Sequence, residues 1–433
     1  MPSLQTTTHE EIQRYAALRQ QDHEVFSIIE RESRRRQKSI EMIASANIVS
    51  PGVLEAMGSP FVNNVVEGYP GQRYFSGCEE MDKLENLGTD RAKRLFGATH
   101  ANLQPYSCSQ ANQAVYLCSL KPGDRILGMD LKHGGHLTHG AKVTMTAHYY
   151  ASHSYKVSPD DGRIDYDQLL IQAKEVRPKL IIAGASAYPR IIDFERFRKI
   201  ADEVGAFLLG DMAHVAGLVA AGLHPSPLPY AHFVTTSTQK TLRGPRGGMI
   251  LLGEETAEAF AHRIDRALFP GIQGAAHMHT IAAKAVALGE ALQPDFVTYQ
   301  RCVLNNAKTL AEALMQCGFQ LITGGTDNHL MVLDLRRQDI TGAEAENRLE
   351  SVGIMVNKNL IPYDRQPPWV CSGIRIGTAA MTTLGYGLEE MHAITMMLDK
   401  MLHSTPTPQT IQEVRKEVAA LCLYSGFSHP PLI

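Results

Sequence analysis

KLIIAGASAYPRIIDFERFRKIADEVGAFLLGDMAH, residues 179–214, carries the pattern that decides the fold. It opens on KLIIAG, a short apolar run without polar alternation, as a strand buried on both faces requires. AFLLG, near its end, is a second run of the same kind. Between them Phe194, Phe197, Ile200, Ala201 and Val204 share one face of a helix. Asp193 stands where an N-cap belongs and Gly205 where a helix ends. Strand, helix and strand at this spacing form a βαβ unit, whose two strands lie parallel in one sheet.

The alternation extends outward in both directions. RILGMD (125–130) and HFVTTST (232–238) are further apolar runs with helical segments between them. From about residue 90 to 250 the chain therefore reads as α/β with a mainly parallel central sheet. Residues 9–43 have helical periodicity and many charges, which predicts an N-terminal arm of one or two helices. Long apolar helices near 276–293 and 301–317 precede two strands, HLMVLDL (329–335) and SGIRIGT (372–378). The expected division is a helical arm at 1–43, a large domain at 44–300 and a smaller α+β domain at 301–433, whose tail SHPPLI (428–433) reads as irregular.

Composition narrows the function. Lys and Arg total 42 against 45 Asp and Glu, a formal net charge of −3. Such a balance gives no extended footprint for nucleic acid. RESRRRQK (31–38) reads as a solvated helix face. The seven cysteines are odd in number and form no C-x-x-C, which argues for reduced thiols in the cytoplasm. MPSLQTTTHEEIQRY lacks a basic segment followed by an apolar one, and no apolar run reaches the roughly 18–20 residues of a membrane span. HGGHLTH (133–139) places three histidines three apart, but its glycines are poor scaffolding for ligands, and no metal is expected. A cytoplasmic protein acting on small molecules, without nucleic acid or membrane as partner, is the reading.

In open α/β sheets ligands bind beyond the carboxyl ends of strands, so the polar residues just after each apolar run matter most. Asp211 follows AFLLG, with His214 close behind. Ser186 follows KLIIAGA. Gln239 and Lys240 follow HFVTTST, ahead of a loop, RGPRGG, that is no Walker A motif. Ser107 and Ser109 precede an apolar helix, where free N–H groups suit a phosphate. Alone, a strand-end Asp such as Asp211 is more often a turn residue or cap, and a lysine beside glycines such as Lys240 is usually part of a surface loop. Together they supply a carboxylate for a pyridine nitrogen, an amine for an aldehyde and donors for a phosphate, which are the needs of pyridoxal 5'-phosphate. A desolvated lysine with a depressed pKa suits that chemistry.

Longer stretches carry a resemblance. VTTSTQKTLRGPRGG, DMAHVAGLVAAG, EGYPGQRYFSGCE, MDLKHGGHLTHG and GGTDNHL closely resemble serine hydroxymethyltransferases, in order and over roughly residues 24–400. The resemblance implies the fold-type I architecture of pyridoxal-phosphate enzymes, aspartate aminotransferase-like. It also implies a homodimer, or a tetramer built from it, with active sites shared between subunits, and tetrahydrofolate as cosubstrate. By motif position Lys240 is the covalent attachment point of the cofactor, and Asp211 pairs with its ring nitrogen. His136 stacks on the ring and His214 lies at its hydroxyl side, near Ser186. Ser107, Cys108, Ser109 and Gln110 form the phosphate cup, and Gly274 belongs to a loop that reaches the partner's phosphate. Gln239 adjoins the cofactor beside the lysine. Arg375 clamps the amino-acid carboxylate, with Ser45 assisting and Phe75 nearby. Glu67 is the acid–base group, although EGYPG also permits a turn-capping role. Leu131, Gly135, Leu137, Tyr74 and Asn359 occupy the folate-contacting positions.

The sequence departs from the family around this site. Gln239 stands where histidine is usual, Val65 and Phe75 where tyrosines are, Cys108 where glycine is, and Ala46 where glutamate is. PGIQGAAH (270–277), with Ile272, replaces a loop richer in glycine. Loss of two hydroxyls at positions 65 and 75 makes a drier pocket with room on the substrate's α-carbon. Serine and glycine are the expected amino-acid pair. α-Methylserine and alanine, or a folate-independent aldolase or transaldolase reaction on the same scaffold, are the alternatives.

Overall fold

The structure is a computed structural model that describes residues 15–424. Residues 1–14 of the expected arm and the tail 428–433 lie outside the described residues. Within the arm, helices span Ala16–Gln21 and His23–Gln37.

The central sheet has seven strands: β1 (His100–Asn102), β2 (Arg125–Met129), β3 (Ala151–Tyr155), β4 (Leu180–Gly184), β5 (Phe207–Asp211), β6 (Phe233–Ser237) and β7 (Gly248–Leu252). Their order across the sheet is β1-β7-β6-β5-β4-β2-β3. β3, β2, β4, β5 and β6 run parallel, and β7 is antiparallel to both β6 and β1. The mainly parallel α/β sheet read from the sequence is thus the observed one. β3 adds an edge strand whose sequence, ASHSY, carries little apolar signal.

The 179–214 stretch folds as its pattern requires. Asp193 caps the helix Phe194–Val204 by accepting from the Arg196 N–H, and Gly205 ends it in the left-handed conformation. Phe194, Phe197, Ile200 and Ala201 are buried against the sheet. Register then aligns the strand ends: Gly184 pairs with Asp211, and Asp211 with Thr235. Ser186, Asp211 and Lys240 consequently emerge from neighbouring strands at one edge.

A second sheet of four antiparallel strands follows, β8 (Gln320–Leu321), β9 (Leu330–Asp334), β10 (Asn357–Asn359) and β11 (Gly373–Gly377), in the order β8-β9-β11-β10. It packs its own apolar core. The helix Pro294–Gln316 runs straight through the boundary expected at residue 300. Phe296, Tyr299 and Leu304 pack into the first core, and Ala307, Leu310 and Leu314 into the second. Ile40 and Met42, from the end of the arm, also lie in the second core. The Met42 carbonyl accepts from the Gly377 N–H at 2.8 Å, so the chain around Ala44 and Ser45 crosses the end of β11.

Phe197 is fully buried and meets the rings of Tyr155 and Tyr166 at 5.8 and 5.5 Å. Phe197→Ala is expected to lower stability by about 3–5 kcal/mol, read as a fall in the urea midpoint at unchanged slope.

Candidate active site

Asp211, at the end of β5, is buried and ionised. Burial raises its pKa, but hydrogen bonds and nearby histidines outweigh burial and hold the carboxyl well below the usual range. Oδ2 accepts from His139 Nε2 at 2.9 Å and from Asn112 Nδ2 at 3.0 Å. Oδ1 accepts from the Ala213 N–H at 3.1 Å and from the Cys108 thiol at 3.6 Å. Burial pushes the Cys108 pKa up, so the thiol keeps its proton and donates. Asn112 is itself fixed: its Oδ1 accepts from Thr235 at 2.6 Å and its Nδ2 also donates to Thr138.

The HGGHLTH segment folds into two 3-10 turns, Leu131–His133 and Leu137–His139. Gly134, at φ +103°, lies against the Ala187 carbonyl where a side chain would collide. Its three histidines diverge. His133 Nδ1 accepts from the Val157 N–H, His139 reaches Asp211, and His136 Nδ1 accepts from the Thr138 N–H. Burial lowers the His136 pKa to about 4, which leaves a neutral flat ring. Among the described residues no three His, Cys, Asp or Glu side chains form a metal-ligand group.

Lys240 lies half-buried just beyond β6. Desolvation lowers its pKa to about 8, against the pull of Asp211 and with the push of Arg375 and Arg246. Asn47 holds its carbonyl at 2.9 Å, and the adjacent Gln239 accepts from the Gly247 N–H at 3.4 Å. Arg375, on β11, is also half-buried, and desolvation lowers its pKa to about 10. Its Nε donates to Asn357 at 3.1 Å and Nη1 to the Ser186 carbonyl at 2.6 Å. No described carboxylate lies within ion-pair reach of it. A planar cation with donors to spare is a receptor for a carboxylate.

His214 and His329 stack 5.5 Å apart. The Ala44 carbonyl can only accept, so the His329 Nε2 at 3.1 Å carries the proton. The same N–H lies 3.4 Å from His214 Nδ1, which is therefore an acceptor and leaves its own proton on Nε2. Burial lowers both pKa values, that of His329 to about 3. Ser45 follows Ala44 directly, beside the end of the strand that bears Arg375. Ser107 caps the helix Cys108–Ser119 by accepting from the Gln110 N–H. Cys108 and Ser109 open that helix, so its free N–H groups surround the turn.

Other sequence-predicted residues lie elsewhere on the chain. The charge of Glu67 is felt at Tyr106, whereas the charges acting most on Lys240 are Asp211, Arg375 and Arg246. Glu67 belongs to a hairpin pinned by Arg73, which donates to Asp82 at 2.8 Å, Glu85 at 2.6 Å and the Gly68 carbonyl at 2.6 Å. Tyr74 is 73% exposed, Val65 59% and Phe75 46% on the same segment. Gly274 has open space around it. Leu131, Gly135 and Leu137 flank His136, and Asn359 lies on β10 beside β11. Sequence reading missed Asn112, His139 and His329. Asn112 lies one turn beyond Cys108 on the same helix face, and the two histidines sit inside the quoted motifs.

A sheet of this order, with a strand-end carboxylate, a half-buried lysine after the next strand and a carboxylate-seeking arginine from the second domain, defines a fold-type I pyridoxal-phosphate enzyme. Residues 18–398 match the serine hydroxymethyltransferase family, and the chain belongs to it. That family consists of transferases of one-carbon groups, dependent on pyridoxal phosphate, acting between serine and glycine. The residues present fit the cofactor: an ionised buried acceptor, a lysine that can lose its proton, a flat neutral histidine and a helix start with free donors.

A lysine amine attacks an aldehyde only when neutral. Lys240 is expected to trap pyridoxal 5'-phosphate at a rate that rises with pH through about 8 and then levels, where exposed lysines level near 10.4. Borohydride reduction at each pH with peptide mapping checks this.

Proposed function

We propose that the protein moves a hydroxymethyl group between a β-hydroxy amino acid and tetrahydrofolate, using pyridoxal 5'-phosphate, with serine and glycine as the amino-acid pair. The observation that carries this reading is Arg375, a half-buried cation without a carboxylate partner, close enough to Lys240 for its charge to act there. The bound cofactor supplies the electron sink for the bond broken at the substrate's α-carbon.

The chain's own groups do the rest. Arg375 binds the amino-acid carboxylate with the N–H groups left free by Asn357 and Ser186, and Ser45 assists. Asp211 would accept the ring N–H in place of the weak Cys108 thiol. His136 would offer its flat neutral ring to the cofactor, and His214 would offer its Nε2–H to the phenolic oxygen. Lys240 would anchor the cofactor covalently; released from it by the substrate amine, it could accept a proton as a neutral amine and return one as an ammonium. The Ser107–Gln110 turn binds the phosphate, with Gln239 beside the lysine. Leu131, Gly135, Leu137 and Asn359 line the folate side.

Glu67, which lies toward Tyr106 rather than Lys240, serves as acid–base group in the site of a second protomer. The exposed Val62, Val65, Tyr74 and Phe75 on its segment support a homodimer with shared sites. Val65 and Phe75 would then give the partner's pocket an apolar lining. This favours a second reading, in which the pair is α-methylserine and alanine. Among the described residues no helix is long and apolar enough to cross a membrane.

The deciding experiment titrates the cofactor-loaded protein with glycine and with each enantiomer of alanine, with and without tetrahydrofolate, and follows visible absorbance. A response to glycine that grows with tetrahydrofolate is expected. A response to alanine alone moves the assignment to the α-methyl pair. Turnover untouched by tetrahydrofolate moves it to an aldolase, and a protein that takes up no cofactor overturns it. Separately, Arg375→Ala should raise the KM for the amino acid by roughly 30- to 1000-fold, the equivalent of about 2–4 kcal/mol, and leave cofactor uptake intact.

A further inference from the structure

Lys284 is only 1% exposed and belongs to none of the groups above. It projects from the helix Met278–Ala291, inside the apolar run IAAKAVAL. Its ammonium donates to three carbonyls: Leu103 at 2.6 Å, Gly248 at 2.8 Å and Pro105 at 3.0 Å. Three acceptors at these distances need three N–H donors, which the ammonium has and the neutral amine lacks. Burial nevertheless pushes its pKa down to about 7, and Glu85 only partly opposes this. Glu85 is engaged elsewhere, by Arg73 at 2.6 Å and Gln104 at 2.8 Å. Among the described residues no carboxylate pairs with Lys284. A buried cation without an anion is costly, so the arrangement lacks a negative charge.

The three carbonyls show where that charge belongs. Leu103 and Pro105 lead into the Ser107–Gln110 turn. Gly248 donates its N–H to the Pro105 carbonyl at 2.9 Å and lies so close to the Ser107 carbonyl that a side chain would overlap it. Gly247 meets the Lys284 side chain with equal closeness. The last two glycines of RGPRGG are thus glycine because Lys284 and the turn press against them.

We propose that Lys284 is the buried countercharge of the phosphate bound at the Ser107–Gln110 turn, a positioning residue that clamps both segments framing the turn. The proposal rests on the cofactor reading given above. It goes beyond stapling, since a staple alone would serve any ligand of the site equally.

Dissociation constants for pyridoxal 5'-phosphate and for pyridoxal, which lacks the phosphate, separate the two roles. They are measured by absorbance on the full chain, unsubstituted and as Lys284→Met, Lys284→Gln and Lys284→Arg. The unsubstituted protein should prefer the phosphorylated ligand. The two neutral variants should lose about tenfold or more of that preference, roughly 1.4 kcal/mol, with pyridoxal affinity little changed, and the arginine variant should retain it. A folded neutral variant that weakens both ligands alike, or neither, overturns the proposal. Should both neutral variants fail to fold, the unsubstituted protein decides. The 15N signal of its Lys284 ammonium, identified by its absence in Lys284→Arg, must move on adding inorganic phosphate, and a silent signal overturns the proposal. An unsubstituted protein without preference for the phosphorylated ligand removes the cofactor reading itself, and this inference with it.

Discussion

An ionised carboxylate sealed inside a protein has to be met by donors, and the requirement at Asp211 organises the active site. Burial alone would protonate it. Its charge survives because His139, Asn112, the Ala213 N–H and Cys108 converge on two oxygens. Those donors come from the HGGHLTH turns, from the helix after β1 and from the chain just past β5. None can be withdrawn without leaving a charge short of partners, which is more costly than losing an ordinary hydrogen bond. The right-handed crossovers of a parallel sheet bring these segments to one edge, and the network then fixes their mutual orientation. His139 shows the coupling. Its Nε2 serves Asp211 while its Nδ1 accepts from the His136 N–H, so the group that steadies the carboxylate also sets the neighbouring ring.

Around that one anion the chain gathers cations. Lys240 and Arg375 are half-buried with depressed pKa values, Arg246 acts on Lys240, and Lys284 holds the Leu103 and Pro105 carbonyls just ahead of the Ser107–Gln110 turn. His136, His214 and His329 are kept neutral by burial, so they add no further positive charge. The imbalance suits a ligand with several negative groups, a phosphate and a carboxylate among them, and it disfavours neutral ligands of the same shape. The Lys240 proton is loosened chiefly by desolvation, with Arg375 and Arg246 adding to it and Asp211 opposing it, so removal from water prepares the amine that reacts.

What could be read from the sequence follows the range of each signal. The strands KLIIAG and AFLLG, the Asp193 cap and the Gly205 stop are local, and they fold as local rules demand. Asp211 and Lys240 were legible only jointly, since a strand-end acid or a lysine near glycines is ordinary on its own. Asn112 was opaque because its partners, Asp211 and Thr235, are distant in sequence. The three histidines of HGGHLTH look like a ligand set by spacing, yet the left-handed Gly134 splits them between two turns and turns their rings apart. Lys284 lies in an apolar helix where periodicity announces a buried face and a lysine looks like an interruption. The helix Pro294–Gln316 hid the passage between cores, because a continuous helical pattern carries no mark where its packing partner changes.

Cys108 ties the departures from the family to this electrostatic frame. A glycine there would leave Asp211 Oδ1 with the Ala213 N–H alone. The thiol adds a donor, but a weak one at 3.6 Å, from the first residue of the helix that Ser107 caps. Under the proposed function the ring N–H must take the place of that thiol, so binding exchanges one hydrogen bond for another instead of simply adding one. The gain in charge stabilisation is then smaller, and the cofactor is held more through its phosphate and its bond to Lys240 than through its ring nitrogen. A chain that weakens the ring contact can keep its cofactor only if the phosphate contact stays strong. That gives a physical reason for a buried ammonium held just ahead of the Ser107–Gln110 turn and for two adjacent glycines that make room for it.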